Sequence, residues 1–236
     1  MLQERLRVKG LLLALLLLPS VVMADAGQAD PLEGYNRAIF SFNDKADRWV
    51  LKPVAKGYRY VTPDFFERGV SRMFSNLGEV LNVVNDLLQG KVGQAGNDGG
   101  RLLINSTIGI AGFFDVAKHA GLEKSAGEDF GQTFGAWGVG EGAYVVLPFW
   151  GPSTLRDAPS LLLDSVFNPI GEVDHVPTRN QLYGANIVSA RADLLEAEKL
   201  IKGDRYTFIR DVYLQRRQFL VNDGEVEDDF GDDDYN

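Results

Sequence analysis

The chain has 236 residues, 45% of them hydrophobic and 24% charged, which is enough for one sizeable core and is not a disorder composition. Its 33 acids against 24 bases give a net charge of −9, so the basic footprint of a nucleic-acid binder is missing. The absence of cysteine removes disulfides and thiolate chemistry. His119 and His175 stand in no metal-ligand spacing, so no metal site and no cofactor is expected.

The N-terminus places Arg5, Arg7 and Lys9 ahead of the apolar run Leu11–Leu18, then Pro19, Ser20 and the small residues of "VVMADA". This order reads as a secretory signal peptide over residues 1–24, cleaved after Ala24 or Ala26. The apolar run is well short of the ~20 residues needed to span a bilayer, and no other stretch reaches that length.

A first helix is expected from "DPLEGYNRAIFSFNDKADRWV", with Asp30 as N-cap, Pro31 at the first helical position and Glu33 completing a capping box. Tyr35, Ile39, Phe42, Ala46 and Trp49 form its apolar stripe, Asn36, Asn43 and Asp47 its polar positions, and Pro53 its stop. Residues 63–77 and 77–90 read as two further helices, the second closed by Gly90. Between Gly90 and Gly142 lie 14 of the 26 glycines, interleaved with Phe and Trp. Next come the proline- and aromatic-rich residues 143–160, a helix over 160–167 and an amphipathic helical region over 180–221. No convincing run of alternating strands is present, so the expected class is all-α. The last fifteen residues, 222–236, hold eight acids and no base, the pattern of a solvated, disordered tail.

The residues reveal no catalytic constellation. "GKVGQAGNDGG" (90–100) lacks the buried strand and the Lys-Ser/Thr pair of a phosphate loop, and no G-x-S-x-G is present. Ser153 precedes Arg156 and Asp157 with no histidine nearby in sequence, which leaves a lipid hydrolase or acyltransferase as an alternative reading. "INSTIGIAGFFDVA" (104–117) is apolar yet too short to span. It fits a segment lying in one leaflet, its glycines allowing close packing, and equally a buried helical hairpin in a soluble core.

"DPLEGYNRAIFSFND", "VVNDLLQG", "INSTIGIAGFFDVA", "FGQTFGAWGVGEGAYVVLPFWGPSTLRDAPS" and "YTFIRDVYLQRRQFL" together resemble the MlaA (VacJ) family, in order from Asp30 to about Val221. That resemblance implies one helical domain over 25–221, a compact ring-like bundle of amphipathic helices embedded in one membrane leaflet around a central amphipathic channel. It implies a non-enzymatic outer-membrane component, on the periplasmic side, of an intermembrane phospholipid-transport system. Such a component removes mislocalised phospholipids from the outer leaflet to maintain lipid asymmetry. Its implied partners are phospholipid, a periplasmic lipid carrier of the MlaC type and a trimeric porin; a structural porin-associated envelope protein is the other alternative. The family is typically acylated on an N-terminal cysteine, which this sequence lacks.

Joined to that resemblance, the residues expected at the lipid channel or membrane are Tyr35, Asn36, Ile39, Phe42 and Asn43 on the first helix. In 104–117, Asn105 and Asp115 mark polar ends or the channel side, while Phe113 and Phe114 face acyl chains or neighbouring helices. Trp150 is expected at the membrane rim. Arg156 and Asp157 either meet a headgroup or form a local pair.

Overall fold

The computed structural model describes residues 30–225. The expected signal peptide and the tail beyond residue 225 lie outside the described residues. The helical elements are α1 (Glu33–Ala46), α2 (Lys52–Val61), α3 (Asp64–Leu88), α4 (Val92–Thr107), α5 (Phe130–Ala136), α6 (Asp157–Phe167), α7 (Val176–Asp193) and α8 (Arg205–Val221). Strands β1 (Tyr144–Leu147) and β2 (Gly151–Thr154) form an antiparallel hairpin. The all-α expectation therefore holds, with one correction. Four residues are too few for alternation to register in the sequence, so β1 and β2 escape a periodicity reading.

Several boundaries also differ. Pro53 does not stop the first helix: α1 runs through a π-helical turn at Asp47–Leu51, and Pro53 sits in the first turn of α2, where a missing N–H is harmless. The capping box does not form either. Helix α1 starts at Glu33 after a turn at Pro31–Leu32, and the Asp30 carboxylate instead accepts hydrogen bonds from Asn36 and Tyr206. The two helices expected over 63–90 are one, because Gly78 lies on the outer side of α3, where nothing approaches its missing Cβ. "GKVGQAGNDGG" is largely the start of α4. The late amphipathic region breaks after Asp193 into a turn and a short 3₁₀ segment at Ala197–Leu200 before α8. Past α8, residues 222–225 form a turn whose Asp223 pairs with Lys91.

Packing runs in a closed circuit: α1 on β1, β2 on α8, α8 on α5, α5 on α3, α3 on α7, α7 on α2, and α2 back to α1 through the π turn. This is the ring-like order of an amphipathic bundle. Two small apolar clusters tie it together, Ala55–Ala192–Leu195 between α2 and α7, and Tyr144–Val146–Tyr206 between the hairpin and α8.

Candidate lipid-contact surface and its polar interior

The helices face the opposite way from those of a water-soluble domain. The stripe Gly69, Asn76, Glu79 and Asp86 on α3 is buried, and so is Ala95, Asp98, Arg101 and Asn105 on α4. Both stripes follow helical spacing, and both are mainly polar. Meanwhile Trp49 is 83% exposed, Tyr60 91%, Phe149 75% and Trp150 72%. Among the described residues no helix is long and apolar enough to cross a membrane. Burying a polar interior costs free energy unless every group is partnered, so the interior depends on its hydrogen bonds.

Arg101 anchors the first network. Its Nη2 donates to both oxygens of Asp115 at 3.1 Å, its Nη1 to the Leu122 carbonyl at 2.7 Å, and its Nε to Glu79 at 3.3 Å. Burial opposes the charge on Asp115, but hydrogen bonds from Asn105 and Arg101 hold its carboxyl below the usual range. Burial raises Glu79. Asp86, fully buried with neither oxygen partnered among the described residues, is pushed up to about 7 by burial and by the nearby Asp98 and Glu128.

Arg217 on α8 holds the second network. It donates to both oxygens of Asp129 at 2.5 and 2.6 Å and pairs with Asp157 at 2.7 Å. Burial works against the charge on Asp129, yet Arg217 wins and keeps it below the carboxylate range. Asp157 also accepts from Arg156 at 2.8 Å and from Tyr213 at 3.1 Å. Arg156 and Asp157 are both buried, paired with each other and, through Asp157, with Arg217. Ser153 is buried in β2, and His175 caps α7 by accepting from the Thr178 N–H. Among the described residues no hydrogen bond joins a serine to a histidine.

The asparagines of α1 also turn inward. Asn36 is buried, donates to the Tyr144 carbonyl at 3.0 Å and accepts from the Val146 N–H at 2.8 Å. Two turns on, Asn43 donates to the Leu147 carbonyl at 2.9 Å and accepts from the Phe149 N–H at 2.8 Å. Two side-chain amides thus stand in for a missing strand along the free edge of β1. Val146 faces Pro152 in a pair whose backbone groups point away from each other, so the Val146 N–H is turned out from the hairpin toward Asn36, and the missing N–H of Pro152 costs the ladder nothing. Both asparagines clamp the hairpin, and Asn36 has no open side for lipid. Tyr35 and Phe42 are half-exposed on the outer face, Ile39 packs partly on the hairpin cluster, and Phe42 meets Phe149 edge-on at 5.2 Å.

"INSTIGIAGFFDVA" is the last turn of α4 followed by a sharp reversal. Ile110 and Ala111 take φ of 54° and 55°, and Gly112 follows at 90°, a left-handed run that costs about 1–2 kcal/mol per non-glycine residue. Asn105 secures it by donating to Asp115 at 3.0 Å and accepting from the Ala117 N–H at 2.9 Å. The reversal presses on α3: a Cβ on Gly69 would lie 2.1 Å from the Phe113 ring, and one on Gly112 2.4 Å from Asn76. Phe65, Phe66, Phe113 and Phe114 gather there with centroids 5.1–6.1 Å apart; Phe65 and Phe66 are exposed, and Phe114 is exposed as well. The structure brings Asn105, Asp115, Phe113 and Phe114 together; it sets Trp150 at the hairpin tip next to Phe149, away from them in the chain circuit.

Sequence reasoning missed the outer face of α2, where Val54, Tyr60 and Val61 are exposed. The three- and four-residue spacing of Lys52, Lys56 and Arg59 continues past Pro53 and would have revealed this helix, had proline been placed in a first turn.

The comparisons agree with this geometry. A sequence profile for the family described as MlaA lipoprotein matches residues 28–220. The chain is 36% identical over 205 residues to the intermembrane phospholipid transport system lipoprotein MlaA of Escherichia coli K12, spanning 85% of this chain and 81% of that protein. The protein of the same description from Haemophilus influenzae is 34% identical over 204 residues, spanning 84% and 81%. A solved structure, from work on the structural basis for maintenance of bacterial outer membrane lipid asymmetry, superposes with a TM-score of 0.72 at 33% identity. That match covers 83% of this chain and 100% of the other.

Proposed function

Because this chain belongs to the MlaA family, we propose that it is the outer-membrane component of an intermembrane phospholipid-transport system that maintains lipid asymmetry. The observation that carries the reading is the inverted amphipathicity: polar stripes inside the ring, held chiefly by the Arg101 and Arg217 networks, and large apolar side chains outside it. An apolar exterior lies among acyl chains, each Å² removed from water contributing about 25 cal/mol. A headgroup crossing hydrocarbon loses several kcal/mol per unsatisfied polar group. A polar passage lowers that barrier with no bond made or broken, and flow follows the chemical potential of the lipid.

In this reading the protein takes mislocalised phospholipid from the outer leaflet and passes it to a periplasmic carrier of the MlaC type, beside a trimeric porin. The sequence offers no cysteine for acylation, and the exposed aromatic and aliphatic belt supports retention in the periplasmic leaflet without it. The test is transfer of labelled phospholipid from proteoliposomes to a soluble lipid carrier. Intact lipid on the carrier, above the rate from protein-free vesicles, is the expected result. Background transfer, or release of fatty acid or lysolipid, overturns the reading.

A further inference from the structure

A cleft of about 610 Å³ lies between α2 and the turn after α7, lined by Lys52, Lys56, Arg59 and Lys199, with Glu196, Glu198 and a floor at Leu195. Its size is within the range of small-ligand sites. Lys52, Lys56 and Arg59 fall on one side of α2 at four- and three-residue spacing. On one flank of that stripe Ala55 and Tyr58 pack into the core; on the other Tyr60 stands exposed, with Val54 and Val61 exposed further round the helix, on its far side. The basic stripe therefore runs along the border between protein interior and apolar surface.

The acids in the cleft do not neutralise it. Glu198 is shared by three cations, accepting from Lys52 at 2.9 Å, Arg191 at 2.6 Å and Arg205 at 2.8 Å. Glu196 accepts from Lys199 at 2.6 Å and Arg59 at 3.3 Å. Lys56 makes no hydrogen bond or ion pair among the described residues, so its ammonium is free for a ligand. A cavity with excess positive charge and an uncommitted ammonium recruits an anion with several acceptor oxygens. The adjoining exposed apolar face of α2 suits acyl chains attached to that anion.

We propose that this cleft binds a phosphate group carrying net negative charge, and that the group is the headgroup of an acidic phospholipid seated along α2. The proposal rests on the lipid-handling reading above and adds a headgroup preference at a defined place. The test uses the full chain in neutral detergent, titrated by calorimetry with short-chain phosphatidylglycerol, short-chain phosphatidylcholine and inorganic phosphate. Lys56→Glu breaks no pair in the fold. Lys124→Glu, at an exposed site outside the cleft lining, makes the same change in net charge. Phosphatidylglycerol is expected to bind at least fivefold tighter than phosphatidylcholine, and Lys56→Glu to weaken it at least fivefold while Lys124→Glu leaves it unchanged. Equal weakening by both substitutions, or none by either, overturns the site. Inorganic phosphate binding as tightly as the acidic lipid overturns its assignment to a headgroup. The transfer assay runs in parallel on wild type: absence of transfer with headgroup binding intact removes the transport reading and leaves the cleft, whereas intact transfer with unaltered binding in Lys56→Glu removes the cleft and leaves transport.

Discussion

Replacing Asn36 by alanine removes the clamp from the buried half of β1. Three hydrogen bonds go: 3.0 Å to the Tyr144 carbonyl, 2.8 Å from the Val146 N–H and 2.8 Å to Asp30. Tyr144 and Val146 are buried, so water does not readily replace the lost partners. Two stranded backbone groups at about 1–3 kcal/mol each put the expected loss at about 2–6 kcal/mol. Asn43→Ala removes the same pair of bonds from Leu147 and Phe149, but Phe149 is 75% exposed. Water takes over there, and the expected loss is about 1 kcal/mol. Asn36→Asp keeps the acceptor for Val146 but sets a carboxylate against the Tyr144 carbonyl and Asp30, so it is expected to be no milder than alanine. Denaturant unfolding in micelles, followed by circular dichroism, measures all three. Equal losses for Asn36→Ala and Asn43→Ala would refute the reasoning, because both the burial of the freed backbone groups and the extra bond to Asp30 make Asn36→Ala the costlier change.

Gly69→Ala drives a methyl into the Phe113 ring and is expected to cost about 1–3 kcal/mol; Phe113→Leu in the same chain should restore most of it, read by the same unfolding curves. The Asp86 carboxyl, pushed up to about 7 from 3.8, binds its proton more tightly when folded. The stability this contributes is complete below about pH 4 and is lost as pH rises through 7. Asp86→Asn is accordingly expected to recover about 1–2 kcal/mol at pH 8 and to flatten the decline between pH 5 and 8, with Asp164, also about 7, supplying the remaining slope. Single-tryptophan chains retaining Trp49 or Trp150 should be strongly quenched by brominated acyl chains in vesicles. Quenching no greater than that of a soluble indole would contradict a lipid-facing belt.

Sequence alone determined the helical class and the family, because long unusual segments and their order survive without coordinates. It also singled out 104–117 as unusual through its glycines, but left a leaflet-lying segment and a buried hairpin both open; the close approach of Gly112 to Asn76 and the left-handed run at Ile110–Gly112 emerge only from the fold. What it left undecided was direction. A stripe of Asn, Glu, Asp and Arg at helical spacing reads locally as a solvated face, and a stripe of Tyr, Phe and Trp as a core face. Only the tertiary structure decides otherwise. Arg101 finds Glu79 and Asp115, 22 residues behind it and 14 ahead, and Arg217 finds Asp129 across 88 positions. Asn36 meets β1 more than a hundred residues away. Each of these polar groups is stable inside only because a partner distant in the chain satisfies it, and nothing in a local window encodes that partner. Arg156 and Asp157 make the same point in reverse, since adjacency in sequence pairs them, but their burial and the tie of Asp157 to Tyr213 and Arg217 come from α8, more than fifty residues on.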